Sequence, residues 1–139
     1  LPGKRWPVST KKIPDTNVIL RYLLADNEEQ YREISPFFTE LRDGRQKAVI
    51  PAEVILETFY VLTKVYAVPP REAAGALRDL MLYKGVENKD KKLILEALDR
   101  FDRNPGLSLL DCLIWVKAEA YGCKLLTFDR KLREAAGGQ

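Results

Sequence analysis

No histidine occurs in the 139 residues of this chain. Without an imidazole there is no Ser-His-Asp or Cys-His nucleophile pair, no histidine general base and no His-ligated zinc or haem. Chemistry must run on carboxylates, lysines, hydroxyls, thiols or a bound cofactor. Thiols are scarce: Cys112 and Cys123 are 11 residues apart in what reads as one helix, which separates their Cα atoms by about 16 Å, beyond disulfide reach. Both are expected to be small buried hydrophobes in a reducing compartment, the cytoplasm. Long apolar runs are missing as well, Cys112 to Val116 being typical, whereas a membrane span needs about 18 residues. No signal-peptide core is visible, so no membrane association is expected.

The composition is that of one ordinary globular domain, 46% hydrophobic and 31% charged, large enough to bury a core without disulfides or a structural metal. The formal charge of +3 is concentrated at the start, where Lys4, Arg5, Lys11 and Lys12 occur with no acid among them. Residues 1–12 read as a basic arm or a remnant of preparation, and residues 13–139 as the folded domain. Pro and Gly divide that domain into short alternating units. Val8 to Ile13 is a poor strand ending at Pro14, and Asp15 or Asn17 caps a helix through Leu24. A second helix covers 28 to 43, with a kink or break at Pro36 and a turn at Asp43-Gly44. Gln46 to Ile50 is a strand, and Pro51 to Tyr66 a helix apolar around most of its circumference and so largely buried. Pro69-Pro70 breaks the chain, and a helix from Ala73 to Tyr83 follows. A short extended piece near Val86 and a charged helix from Lys89 to Arg103 come next. Ser108 caps a helix from Leu109 to Tyr121, Lys124 to Phe128 is a strand, and Asp129 opens the last helix. Strands separated by helices predict an α/β fold with a parallel sheet covered on both faces, helix dominating strand.

Some carboxylates stand where an acid should cost energy. Asp15 and Asp129 each follow a strand directly, and ligands bind at the carboxyl ends of strands in open α/β sheets; helix capping is the alternative. Asp111 shares a helix face with Ser108, Ile114, Trp115 and Ala118, so it is either paired or ligating, or a first-turn acid favoured by the helix dipole. Glu53 and Glu57 stand at i and i+4 on the apolar helix, where like charges repel unless a cation or water intervenes. Glu57 is the stronger candidate because it lies deeper in the helix, although Lys64 on the same stripe allows a plain solvated face. If these acids converge, the site is oxygen-only and suits Mg²⁺ or Mn²⁺. Several carboxylates holding divalent cations are what metal-assisted phosphodiester cleavage needs, and no histidine is required.

Four segments carry a resemblance. Ile13-Pro14-Asp15-Thr16-Asn17-Val18-Ile19-Leu20-Arg21-Tyr22-Leu23 resembles the opening of PIN domains, especially VapC-type toxins of bacterial toxin–antitoxin pairs. Ile50-Pro51-Ala52-Glu53-Val54-Ile55-Leu56-Glu57 and the residues to Leu62 look like that family's glutamate helix. Leu109-Leu110-Asp111-Cys112-Leu113-Ile114 resembles its third acidic motif, and Leu126-Thr127-Phe128-Asp129-Arg130-Lys131-Leu132 its fourth. The resemblance covers residues 13 to about 135. It implies a five-stranded, mostly parallel sheet with helices on both faces, and a homodimeric Mg²⁺- or Mn²⁺-dependent endoribonuclease. A small VapB-like antitoxin would cover its acidic pocket. Asp15, Asp111 and Asp129 would ligate the metal, Glu57 would hold or orient water, and Asn17 and Thr127 would steady the carboxylates. Phe59, Tyr60 and Trp115 are candidates for an apolar antitoxin groove. Two departures stand out: Pro14 removes a ladder donor from its strand, and the basic arm has no counterpart in the motifs.

Other readings use the same acids differently. A catalytically silent PIN-like module would bind RNA or a partner without cleaving. A haloacid-dehalogenase-type phosphatase needs a second Asp where Asn17 stands. A phosphoacceptor receiver domain needs a mid-chain Asp, and residues 49 to 70 contain none.

Overall fold

The computed structural model describes residues 10–137. Lys4 and Arg5 of the basic arm, and Val8 at the start of the first expected strand, lie outside the described residues. Seven helices occur among the described residues: α1 (Thr16–Leu24), α2 (Glu28–Asp43), α3 (Ala52–Lys64), α4 (Pro70–Met81), α5 (Lys91–Arg103), α6 (Leu109–Ala120) and α7 (Arg130–Gly137). The chain divides into two compact units, with the break between Lys89 and Asp90.

The first unit holds α1 to α4 and the only sheet-like pairing among the described residues. Ala48 makes isolated parallel bridges to Lys12 on one side and Val86 on the other. The bonds are well formed: Lys12 N donates to Lys47 O at 3.0 Å, Val49 N to Lys12 O at 2.9 Å, and Glu87 N to Ala48 O at 2.8 Å. The ladder stops on both sides for local reasons. Two residues beyond Lys12, Pro14 has no N–H to offer. Beyond Ala48, the buried Asn88 amide takes over: Nδ2 donates to Ile50 O at 2.6 Å and Oδ1 accepts from Ile50 N at 2.8 Å. The expected five-stranded sheet is thus reduced here to two bridges.

Helix packing supplies most of the first unit's core. Leu20 of α1, Leu62 of α3 and Ala73 of α4 form a buried cluster, with Leu23, Phe59 and Val68 against it. A second group is aromatic: Tyr22 stacks on Phe38 at 4.1 Å between centroids, and its hydroxyl meets that of Tyr83 at 2.5 Å. Burial first, and then that bond, hold the Tyr22 hydroxyl well above the ordinary tyrosine range. Pro36 does not break α2, which runs unbroken from the Asn27 cap to Gly44, where φ of 86° suits glycine. α4 starts at Pro70, three residues before the expected Ala73, because proline is favoured at the first helical position. α3 is not buried all round. Its inward stripe is Ile55, Thr58 and Leu62, while Tyr60 is 63% exposed. Apolar side chains on several sides raise its hydrophobicity, but α1 and α4 cover only part of its circumference.

The second unit holds α5 to α7. Ile94, Ala97 and Leu98 of α5 and Leu109, Cys112, Leu113 and Val116 of α6 are buried. Arg100 lies over the Trp115 ring at 4.4 Å and binds Glu96 and Glu119. Lys131 of α7 lies against Gly106, where φ is +98° and a Cβ would meet the ammonium at 2.6 Å. Residues 124–128 form no strand, since strand propensity makes a strand only where a partner edge lies alongside. The cysteines also separate. Cys112 is buried, and burial, reinforced by the neighbouring Asp111 charge, pushes its thiol up to about 11. Cys123 is exposed, beyond the end of α6.

Gly85 and Gly75 have opposite surroundings. A Cβ at Gly85 would lie 2.0 Å from Gln46 O and 2.8 Å from Leu41 O, both backbone atoms, whereas nothing lies within 4 Å of one at Gly75 in α4. Gly85→Ala is expected to destabilise by about 1–3 kcal/mol through overpacking. Gly75→Ala is expected to stabilise by about 0.5–1 kcal/mol through helix propensity. Urea denaturation of the two variants checks the pair.

Candidate active site

The aspartates identified from sequence are all fixed by helix starts. Asp15 is the N-cap of α1, in extended conformation, its Oδ1 accepting from Val18 N at 3.0 Å. Asp129 stands before α7 in the same way, with Oδ1 accepting from Leu132 N at 2.8 Å. Asp111 is the third residue of α6 and closes a capping box: Ser108 Oγ accepts from Asp111 N at 3.0 Å, and Asp111 Oδ2 accepts from Ser108 N at 3.1 Å. The apolar stripe expected around Asp111 is therefore not what anchors it; the cap is. In each case the cap uses one carboxylate oxygen and leaves the other outside that bond.

Glu57 is exposed on α3 and is fixed from another helix. Thr16 Oγ1, at the first position of α1, donates to Glu57 Oε1 at 2.6 Å. The packing of Leu20 against Leu62 holds α1 and α3 together, and this bond joins their outer faces. The structure thus brings Glu57 beside the helix start that Asp15 caps. Thr16 was not singled out from sequence: a contact between residues 41 apart has no local signal, and its only trace is a hydroxyl next to the cap. Glu53 is exposed and makes no such contact among the described residues. Lys64 lies over Tyr60, 6.0 Å from the ring centroid, rather than with Glu57.

The residues expected to steady the carboxylates behave differently from each other. Asn17 makes no side-chain hydrogen bond among the described residues and borders a cleft of about 150 Å³ with Arg21, Gln30 and Glu33. Arg21, bound by the Tyr66 hydroxyl and by Asp26, is held above the ordinary arginine value chiefly by the Tyr66 bond. Thr127 serves Asp129 through the backbone: its Oγ1 accepts from Asp129 N at 3.0 Å. A second cleft, of about 210 Å³, lies beside Asp15 and is lined by Lys12, Ile13, Val18, Ile34 and Phe37. Of the aromatic groove candidates, Phe59 packs inward and Trp115 lies under Arg100, which leaves Tyr60 as the exposed one.

Carboxylate oxygens match the preference of a hard divalent cation, and each of the four acids keeps one oxygen outside its structural bond. No group of three or more His, Cys, Asp or Glu able to hold a metal ion stands assembled among the described residues. No helix among them is long and apolar enough to cross a membrane.

The PIN domain family model matches residues 12–138, and the chain belongs to that family. Membership makes the fold class α/β, although helices dominate the described residues. A protein of Aquifex aeolicus (strain VF5) called VapC ribonuclease is 31% identical over 124 residues, spanning 88% of this chain and 90% of the relative. No solved structure matches the chain.

The cap geometry separates two roles of Asp15 and Asp129. Replacement by Asn keeps an acceptor oxygen and is expected to leave metal-free stability near the native value. Replacement by Ala removes the cap and is expected to cost about 1 kcal/mol at either position. Urea denaturation in EDTA measures both substitutions.

Proposed function

We propose that this protein is a Mg²⁺- or Mn²⁺-dependent endoribonuclease of the VapC type, the toxin of a toxin–antitoxin pair. The observation that carries this reading is the similarity to a VapC ribonuclease along nearly the whole of both chains. The presence of all four acids in a chain without histidine supports it. Asp15, Asp111 and Asp129 are the proposed metal ligands, each through the carboxylate oxygen that its helix cap does not use. Glu57 orients the attacking water and accepts its proton, with Thr16 fixing the carboxylate by occupying Oε1. The bound cation supplies Lewis acidity at the scissile phosphate and lowers the pKa of water. The substrate is RNA, the regulator a VapB-like antitoxin, the assembly a homodimer and the compartment the cytoplasm.

The purified protein is expected to cleave RNA with Mg²⁺ or Mn²⁺ and to stop when EDTA is added. Asp15→Asn, Asp111→Asn and Glu57→Gln are each expected to lower turnover by at least ~100-fold. Undiminished cleavage in EDTA overturns the reading. Metal-independent RNA binding with no cleavage under any condition assigns the chain to the silent-module class instead.

A further inference from the structure

The two most exposed large apolar side chains among the described residues are Phe128 at 99% and Leu126 at 84%. They stand two apart on the segment between α6 and α7. The segment is braced. Arg133 Nε and Nη2 donate to Thr127 O at 3.1 and 2.7 Å, and Arg133 N donates to Asp129 O at 2.9 Å. Together with the Asp129 bonds described above, this presents the Phe128 ring on a fixed turn immediately before a candidate metal ligand.

The surroundings of the ring are basic. Residues 124–134 carry Lys124, Arg130, Lys131 and Arg133 against Asp129 and Glu134. Arg130 meets Glu134 at 3.3 Å, but with side chains 89% and 68% exposed that pair is screened by water and leaves the guanidinium accessible. Lys124, Leu126, Phe128 and Arg133 also line an open cleft of about 950 Å³. An apolar protein partner covering this ring would have to desolvate the adjacent cations without pairing them. A single-stranded nucleic acid satisfies both features, its bases stacking on an aromatic ring while its phosphates face the cations.

We infer that the Lys124–Arg133 segment is a seat for single-stranded RNA, with one base stacked on Phe128 and the flanking phosphates against Lys124 and Arg130. The assignment rests on the ribonuclease reading above, since it specifies what part of the substrate that reading places near Asp129. Phe128 is a binding residue in it, and Leu126 offers apolar support beside the ring.

The test measures the anisotropy of a short fluorescein-labelled single-stranded RNA in EDTA, where cleavage does not interfere. The native protein is compared with Phe128→Ala, Phe128→Leu and Phe128→Tyr, and an abasic strand of equal charge serves as the second probe. Loss of the ring by Ala or Leu is expected to weaken binding roughly 5- to 100-fold, Tyr to restore it, and the abasic strand to bind all four proteins about equally. Lys124→Gln combined with Arg130→Gln is expected to flatten the salt dependence of log K by about 1 to 2. Phe128→Ala or Phe128→Leu binding as tightly as native overturns the inference. An Ala variant with native RNA affinity but altered sedimentation assigns the face to a protein partner and overturns it too. Native protein that cleaves RNA while the Ala variant binds normally sinks only this inference. Native protein that neither binds nor cleaves RNA sinks the ribonuclease reading beneath it.

Discussion

The first turn of an α-helix leaves backbone N–H groups without partners inside the helix, and the side chains that satisfy them here are also the candidate ligands. Asp15 begins α1, Asp111 completes the box that begins α6, and Asp129 precedes α7. A carboxylate at a helix start complements the helix dipole and is held in one rotamer by its hydrogen bond to a backbone N–H. Capping and ligation are therefore compatible roles for one side chain. The cap fixes one oxygen, and that bond dictates where the other one can stand. Glu57 has no cap available in mid-helix, and Thr16 supplies the equivalent restraint from the neighbouring helix. The same economy appears before α7, where Thr127 Oγ1 holds the backbone N–H of Asp129 and Arg133 holds the carbonyl of Thr127, neither of them using the carboxylate.

How far the sequence revealed this arrangement depended on the range of the interaction. The caps at Asp15 and Ser108, the turn at Gly44 and the start of α7 were legible because each is decided within four residues. The inward stripe of α5 was legible because Ile94, Ala97 and Leu98 recur at helical spacing. Pairing between distant segments was not. Residues 46–50 and 124–128 look equally strand-like, but only the former lies between two backbone neighbours, at Lys12 and Val86. Even there, the Asn88 amide replaces a third ladder step. The burial of α3 was overstated for a related reason: apolar residues reveal which faces could be buried, not how many neighbours exist to bury them. Cys123 departs from its expected burial because α6 ends at Ala120, so helical periodicity no longer describes its direction.

For the candidate site, residue types and motif order identified Asp15, Glu57, Asp111 and Asp129, while Thr16 came only from the fold. The distinction has a physical basis. Ligand chemistry selects carboxylates, and carboxylates are visible as residue types at recognisable motif positions. Orientation is exerted by whichever hydroxyl or amide the packing brings near, and many residues could serve. Asn17, adjacent in sequence to Thr16, has the right chemistry but makes no bond of this kind among the described residues. A site residue that acts on another site residue is accordingly the kind that sequence reading misses most readily.

The central claim is that these aspartates do more than cap helices, and the melting temperature of metal-free and Mn²⁺-saturated protein tests it without a substrate. Native protein and Asp111→Asn are compared, each in EDTA and in Mn²⁺. Carboxylates that ligate a cation predict that Asp111→Asn melts near the native temperature in EDTA, since Asn keeps the acceptor oxygen that caps α6. They also predict a rise for the native protein in Mn²⁺, since a ligand at 100 times its Kd adds about 2.7 kcal/mol, and loss of most of that rise in the variant. A purely capping Asp111 predicts the contrary result: the variant responds to Mn²⁺ just as the native protein does.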